Sequence, residues 1–131
     1  MQAALQAAQA LYFPDAKRST AGIHFSQVLD QLGLAQTLAP RLRTFPNGAA
    51  AMREMALRGG AAALGCTQIS EILYTEGVEL VAPLPPGFEL ATVYSAALSQ
   101  PCTQPELAER FVAALTAPSA ATLRRSAGFD D

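Results

Sequence analysis

The chain has 131 residues, enough for one domain with a buried core, and half of its residues are hydrophobic. Only 15% of the residues are charged and the formal net charge is −2, which excludes a disordered chain and argues against a basic nucleic-acid-binding surface. No apolar run reaches the length of a membrane span, and the first residues do not show the pattern of a cleavable signal.

Residues 2–32 predict a helix, a strand and a second helix. Residues 2–9 are rich in Ala and favour a short helix, and residues 11–13 form a brief apolar strand. A polar loop then leads to a helix over residues 20–32, whose apolar side chains recur at the spacing of one buried face. Gly33 is placed to end this helix, because glycine readily adopts the left-handed conformation found after a helix.

Residues 41–66 repeat this layout. Residues 41–45 alternate polar and apolar side chains, which is typical of a short strand. Asn47 can cap a helix that ends near Arg58. Residues 61–66 are small and apolar, which indicates a strand buried on both faces. Strands that alternate with helices predict a largely parallel sheet.

The next part of the chain predicts one further helix and two further strands. Thr67 is expected to cap a helix that runs to Tyr74. Residues 78–82 form the next predicted strand, and a stiff connector rich in proline follows it. Residues 90–98 are the longest strand-like run.

Two helices are predicted to close the chain. Residues 103–106 form a capping box that opens the first helix, and Pro118 begins the second, which Gly128 ends. The first of these helices carries an apolar face made of Leu107, Phe111, Ala114 and Leu115. The predicted fold class is therefore α/β: a three-layer sandwich with a mostly parallel sheet.

Three strand-to-helix junctions are predicted to share one edge of the sheet. They are residues 18–20, 46–48 and 66–68. The carboxyl ends of parallel strands meet at one edge, where ligands bind, and a helix start offers unpaired N–H groups. Hydroxyl and amide side chains in these junctions suit an oxyanion held by neutral dipoles. Lys17 and Arg18, just before the first helix, are interpreted as surface residues, with a contribution to an anion site as the alternative. Because Ser, Thr and Asn are also the usual helix caps, a purely structural role is the alternative at each junction.

No other chemistry stands out. His24 is the only histidine and has no ligand partner at metal spacing, so it is interpreted as a packing or surface residue. Glu71 is interpreted as solvated, because an acid would repel an anion. Cys66 and Cys102 lack metal spacing, and two free thiols are favoured over a disulfide. Ser70 is not in a nucleophile motif. We therefore predict no metal, no cofactor and no catalysis.

Several segments resemble the molybdate-binding-protein-like branch of the extracellular solute-binding proteins. The resemblance runs from about residue 5 to the end of the chain and implies a type 2 periplasmic-binding fold that serves ABC importers. It rests on STAGIHFSQVLDQLGL (19–34), NGAAA (47–51), GCTQISEI (65–72), LPPGFEL (84–90), PELAERFVAAL (105–115) and PSAATLRRSAGF (118–129).

The resemblance implies a protein of two lobes with an oxyanion such as molybdate held between them. Residues 5–87 correspond to the second lobe, and residues 88–131 to a return strand and helix pair that pack on the first lobe. The N-terminal portion of that first lobe is expected to lie outside this chain. The implied ligand contacts in this chain are Ser19, Thr20, Ala21, Thr67 and Gln68.

The same resemblance implies the biological setting. We expect a non-catalytic, periplasmic solute-binding component of an ABC importer, with a small anion and a permease as partners and no nucleic acid. The alternative is a ligand-sensing domain of the same fold in a transcription regulator. With the first lobe absent, the apolar face of residues 107–115 and Val93 would be exposed, which predicts a homo-oligomer or, as the alternative, a repacked C-terminal hairpin.

Overall fold

The computed structural model describes residues 1–130. The chain forms two compact units: the first is Met1–Leu90, and the second begins at Ala91. The identification of residues 5–87 as a second lobe, and of residues 88–131 as a return segment, stays a prediction.

The first unit is an α/β unit built on a parallel sheet of three strands. The central strand is β1 (Ala10–Pro14), with β2 (Leu42–Phe45) on one side and β3 (Ala63–Gly65) on the other. Tyr12 of β1 lies opposite Arg43 of β2 and Gly65 of β3. The predicted α/β class with a parallel sheet is therefore confirmed. The elements in chain order are α1 (Gln2–Ala7), β1 (Ala10–Pro14), α2 (Thr20–Gln31), α3 (Ala35–Leu38), a 3-10 turn (Ala39–Arg41), β2 (Leu42–Phe45), α4 (Gly48–Arg58), β3 (Ala63–Gly65) and α5 (Ile69–Leu73).

Helices cover both faces of this sheet. Successive side chains of a strand point to opposite faces. Phe13 of β1 therefore packs into the α2 side of the core, where its ring meets Phe25 edge-on at 5.2 Å between centroids. Tyr12 faces the other way and packs with Ala51 and Met52 of α4. Each such fully buried large side chain contributes roughly 1.5–3 kcal/mol, so β1 is held from both sides.

Two glycines fix the ends of α2. A Cβ atom at Gly22 would overlap the carbonyl oxygens of Pro14 and Asp15, so the first turn of α2 lies directly on the end of β1. Gly33 has φ +68°, and the N–H of Leu34 bonds back to the carbonyl of Leu29 at 2.8 Å. The predicted end of this helix is therefore confirmed.

Three of the predicted strands differ from the structure. β3 is half-buried rather than buried on both faces, because it is an edge strand that pairs only with β1. Residues 78–82 and 90–98 belong to no strand, and residues 91–98 are all exposed. Their apolar, β-branched composition allows an extended backbone, but a strand also requires a neighbour to receive its hydrogen bonds.

The second unit contains a helix pair. Its elements are α6 (Pro105–Thr116), a 3-10 turn (Pro118–Ala120) and α7 (Ala121–Ser126). The predicted capping box is wrong by one residue: Gln104 is the N-cap, without a side-chain bond to the helix. Pro105 explains the shift, since its fixed φ suits the first helical position and its ring disfavours a helical residue before it.

Gly128 lies just beyond the end of α7 and has φ +86°, so this glycine ends the helix as the sequence predicted. Nη1 of Arg124 donates hydrogen bonds to the carbonyls of Leu115 and Ala117 at 2.9 and 3.0 Å, which ties α7 to the end of α6.

The apolar face of α6 is exposed. The exposed fractions are 57% for Leu107, 64% for Phe111 and 47% for Leu115, and Val93 before the helix is 89% exposed. Within residues 1–130, no helix combines the length and the apolar character that crossing a membrane requires.

Candidate functional site at the carboxyl edge of the sheet

The three strands of the first unit end at the same edge. Because β1, β2 and β3 are parallel, their carboxyl ends at Pro14, Phe45 and Gly65 lie side by side. The first residue after β1 continues this pairing, since the N–H of Asp15 bonds to the carbonyl of Phe45 at 2.7 Å. On the other side, the N–H of Cys66 bonds to the carbonyl of Tyr12 at 2.9 Å. The three predicted junctions therefore share one edge.

The loop after β1 is shaped by Asp15. Its Oδ1 accepts hydrogen bonds from the backbone N–H groups of Lys17 and Arg18, at 2.7 and 3.0 Å. This is the way an Asp side chain closes a tight turn. The side chains of Lys17 and Arg18 remain exposed just before α2.

Ser19 is the N-cap of α2, as the sequence predicted. Within residues 1–130, however, its side chain makes no hydrogen bond to the first turn of the helix. The backbone N–H groups of Thr20 and Ala21 belong to that turn, where α-helices have no partners of their own. The start of this 12-residue helix therefore keeps its partial positive charge without a cap from Ser19.

The start of α4 is arranged differently. Asn47 is its N-cap, and Oδ1 of Asn47 accepts a hydrogen bond from the N–H of Ala50 at 2.8 Å. The predicted capping role of Asn47 is confirmed.

The junction after β3 departs from the prediction. Gln68, not Thr67, is the N-cap of α5, which ends at Leu73, one residue earlier than predicted. The Thr67 hydroxyl instead donates to Oε2 of Glu71 at 2.5 Å. A hydrogen bond to a carboxylate is stronger than one to a neutral group, which explains why the hydroxyl turns away from the backbone.

Glu71 lies at the same edge, and its predicted environment was wrong. It was expected to be solvated, but it is half-buried, and its Oε1 accepts a hydrogen bond from the N–H of Ala49 at 3.2 Å. Its carboxylate therefore lies against the first turn of α4, where a negative charge is stabilised. Gly48 provides the room, since a Cβ atom there would overlap the Thr67 hydroxyl and the Glu71 carboxylate. The spacing of four residues between Thr67 and Glu71 was the sequence signal that could have indicated their contact, because side chains four residues apart are neighbours on a helix.

His24, Cys66 and Cys102 have no chemical role that the geometry reveals. Nε2 of His24 donates to the carbonyl of Phe88 at 2.7 Å, a structural contact. Cys66 and Cys102 are both free, and burial raises the pKa of the Cys66 thiol to about 12. Residues 1–130 contain no group of three or more His, Cys, Asp or Glu side chains placed to hold a metal ion.

Of the predicted ligand contacts, Ser19, Thr20 and Ala21 lie at the first junction and Thr67 and Gln68 at the third. All five lie at or just beyond the carboxyl edge of the same sheet. Their contact with a ligand stays a prediction. The structure adds Glu71 and the start of α4 to this edge.

A family model described as "bacterial extracellular solute-binding protein" matches residues 1–130. The chain therefore belongs to this family of solute-binding proteins. Membership indicates a solute-binding role in transport, in a family that is generally non-catalytic, and a periplasmic or extracellular location. Searches among curated proteins and among solved structures returned no match.

Proposed function

We propose that this chain binds a small oxyanion such as molybdate at the carboxyl edge of its sheet, without catalysis. The observation that carries the proposal is the contrast between two helix starts. Asn47 and Glu71 bond to the first turn of α4, whereas the Ser19 side chain makes no hydrogen bond to the first turn of α2.

The start of α2 offers what an oxyanion needs. Ser19 supplies a hydroxyl, and the backbone of Thr20 and Ala21 supplies N–H groups at the positive end of the helix. Each hydrogen bond to a charged ligand contributes roughly 1.5–3 kcal/mol. Lys17 and Arg18 add two exposed positive charges beside this helix start, which favour the approach of an anion.

Thr67 and Gln68 would form the other part of the proposed site. The Thr67 hydroxyl proton is donated to Glu71, so Thr67 would offer an oxyanion only its backbone N–H, because an anion accepts hydrogen bonds and cannot use the lone pairs of the hydroxyl oxygen. This assigns the stronger part of the proposed anion contact to Ser19, Thr20 and Ala21.

Family membership supports the proposed setting. A solute-binding protein outside the cytoplasm delivers its ligand to a membrane transporter, and we propose a periplasmic protein that serves the permease of an ABC importer. The two-lobed arrangement, with a first lobe that completes the cleft, belongs to the same proposal.

Isothermal titration calorimetry with molybdate, tungstate, sulfate and phosphate tests the proposed ligand. We expect weak binding of at least one oxyanion. Ser19→Ala should weaken it about tenfold, the effect of losing roughly 1.4 kcal/mol. Ser26→Ala, a matched change two turns further along α2, should leave the affinity unchanged. Absence of heat with all four oxyanions would contradict the proposed function.

We also propose that, where no first lobe is present, a second copy of this chain covers the exposed apolar face of α6. Leu107, Phe111 and Leu115 lie on one side of the helix and are each about half exposed or more. Exposed apolar patches of this kind drive association. Light scattering should show a dimer that Phe111→Glu converts to a monomer, while Glu109→Gln on the same helix leaves it intact. A monomer at all concentrations would contradict this assembly.

A further inference from the structure

Among the carboxylates of residues 1–130, Glu71 is the one that links two of the three junctions. Its Oε2 accepts from the Thr67 hydroxyl of the third junction, and its Oε1 accepts from the N–H of Ala49 at the second. The side chain is half-buried, and the nearby Gly48 leaves space for it. A negative charge is therefore fixed at the same sheet edge where the anion is proposed to bind.

We infer that Glu71 is a specificity-determining residue: its fixed carboxylate limits the affinity of this edge for anions, and most strongly for doubly charged ones. The inference rests on the proposed function, because it concerns the same edge. The inference places no ligand at the start of α4, because the Glu71 carboxylate already contacts that helix start.

The physical reason is electrostatic. The Glu71 carboxylate bonds to Thr67, just beyond β3, and the first turn of α2 lies on the end of β1. Because neighbouring strands such as β1 and β3 are about 4.8 Å apart, an anion at the start of α2 would lie on the order of 10 Å from that carboxylate. At that distance, repulsion between two unit charges at a partly solvated edge lowers the affinity on the order of two- to tenfold. The repulsion energy is twice as large for a dianion, so the fold-change in affinity for a dianion is the square of the fold-change for a monoanion.

Glu71→Gln is the decisive variant, because an amide retains the shape of the side chain and removes only its charge. The amide oxygen of Gln can accept from the Ala49 N–H, and its NH₂ group can donate to the Thr67 oxygen once that hydroxyl rotates. The variant should therefore retain the fold, which its circular dichroism spectrum and thermal midpoint will verify.

The test compares molybdate with perrhenate, a tetrahedral oxyanion of similar size and half the charge. By calorimetry, Glu71→Gln should bind perrhenate about threefold more tightly and molybdate about tenfold more tightly than the unsubstituted protein. Glu76→Gln, which neutralises an exposed acid just beyond α5, should change neither affinity. Thr67→Val, which removes the hydroxyl donor but no charge, should not tighten either anion.

The outcomes separate this inference from the proposed function. Weaker or unchanged binding of both anions by Glu71→Gln, or an equal gain for both, would overturn the inference and leave oxyanion binding intact. Heat from Glu71→Gln alone, with none from the unsubstituted protein, would contradict the proposed function and support the role of Glu71. No heat from any of the four proteins would overturn both.

Discussion

The starts of α2 and α4 lie at the same edge of one sheet, yet they are built in opposite ways. Two side chains, Asn47 and Glu71, bond to the first turn of α4. The first turn of α2 receives no side-chain cap from Ser19. An α-helix leaves its first N–H groups without partners, so each helix start is either capped by the protein or open to water and ligands. Under the proposed function, the start of α4 contributes to stability and the start of α2 contributes to binding.

The largest expected effect is at the start of α2. Gly22→Ala would place a methyl group against the carbonyl oxygens of Pro14 and Asp15, which are backbone atoms that cannot move without displacing β1. We expect a loss of about 3 kcal/mol in the free energy of unfolding, measured by urea denaturation. A loss below about 0.5 kcal/mol would show that α2 can shift on the sheet.

Gly48→Ala makes the same change at the start of α4 and should cost less. The added methyl group would meet the Thr67 hydroxyl and the Glu71 carboxylate, which are ends of side chains that can rotate. We expect a loss of about 1–2 kcal/mol, and the Glu71→Gln variant should tolerate the substitution no better, since its side chain has the same size. A larger loss than that of Gly22→Ala would reverse the comparison.

Asn47→Ala and Ser19→Ala compare the two N-caps directly. Asn47 bonds to the N–H of Ala50, so its loss should lower the free energy of unfolding by about 1 kcal/mol. Ser19 makes no such bond, so its replacement should change stability by less than about 0.3 kcal/mol. Equal losses would show that Ser19 caps α2 in solution and would remove the contrast between the helices.

The smallest effect at neutral pH concerns the third junction. Burial raises the pKa of the Cys66 thiol to about 12, so Cys66 should react with iodoacetamide at pH 8 far more slowly in the folded protein than after unfolding. The unfolded chain loses this proton at lower pH than the folded chain does. The contribution of the Cys66 thiol to the free energy of unfolding is therefore constant at neutral pH. It falls as the pH rises above about 9, where the thiol of the unfolded chain begins to ionise. Cys66→Ala should remove that part of the alkaline loss in stability. Rapid labelling of the native thiol at pH 8 would contradict the raised pKa of Cys66.

Features that depend on neighbouring residues in the chain were predictable from sequence. Asn47 caps α4 through the N–H of Ala50, three residues away, and the turn at Gly33 is closed by a hydrogen bond between Leu34 and Leu29, five residues apart. The local sequence pattern was therefore enough to predict both helix ends. Residues 78–82 and 90–98 were wrongly predicted as strands, because strand formation depends on a partner that the segment itself does not specify. The parallel sheet was predictable, because it follows from the alternation of strands and helices.

The sheet edge that carries the candidate site was predictable, whereas the environment of Glu71 was not. The position of the three junctions follows from topology, which the sequence pattern indicates. Glu71 was considered only as a charge that would repel an anion. Its interaction with Ala49, 22 residues earlier, depends on how α4 and α5 pack, which no local pattern reveals. The contacts of Ser19, Thr20, Ala21, Thr67 and Gln68 with a solute stay predictions until binding is measured.

The hydrogen bond between His24 and Phe88 gives the molecule a built-in spectroscopic reporter. The imidazole lies one turn after the start of α2, and its Nε2–H is held by a carbonyl 64 residues further along the chain, shortly before the first unit ends. As the only histidine, it gives a single set of ring resonances in a ¹H–¹⁵N NMR spectrum. One signal would thus register events at the helix start and at the chain segment that leaves the first unit.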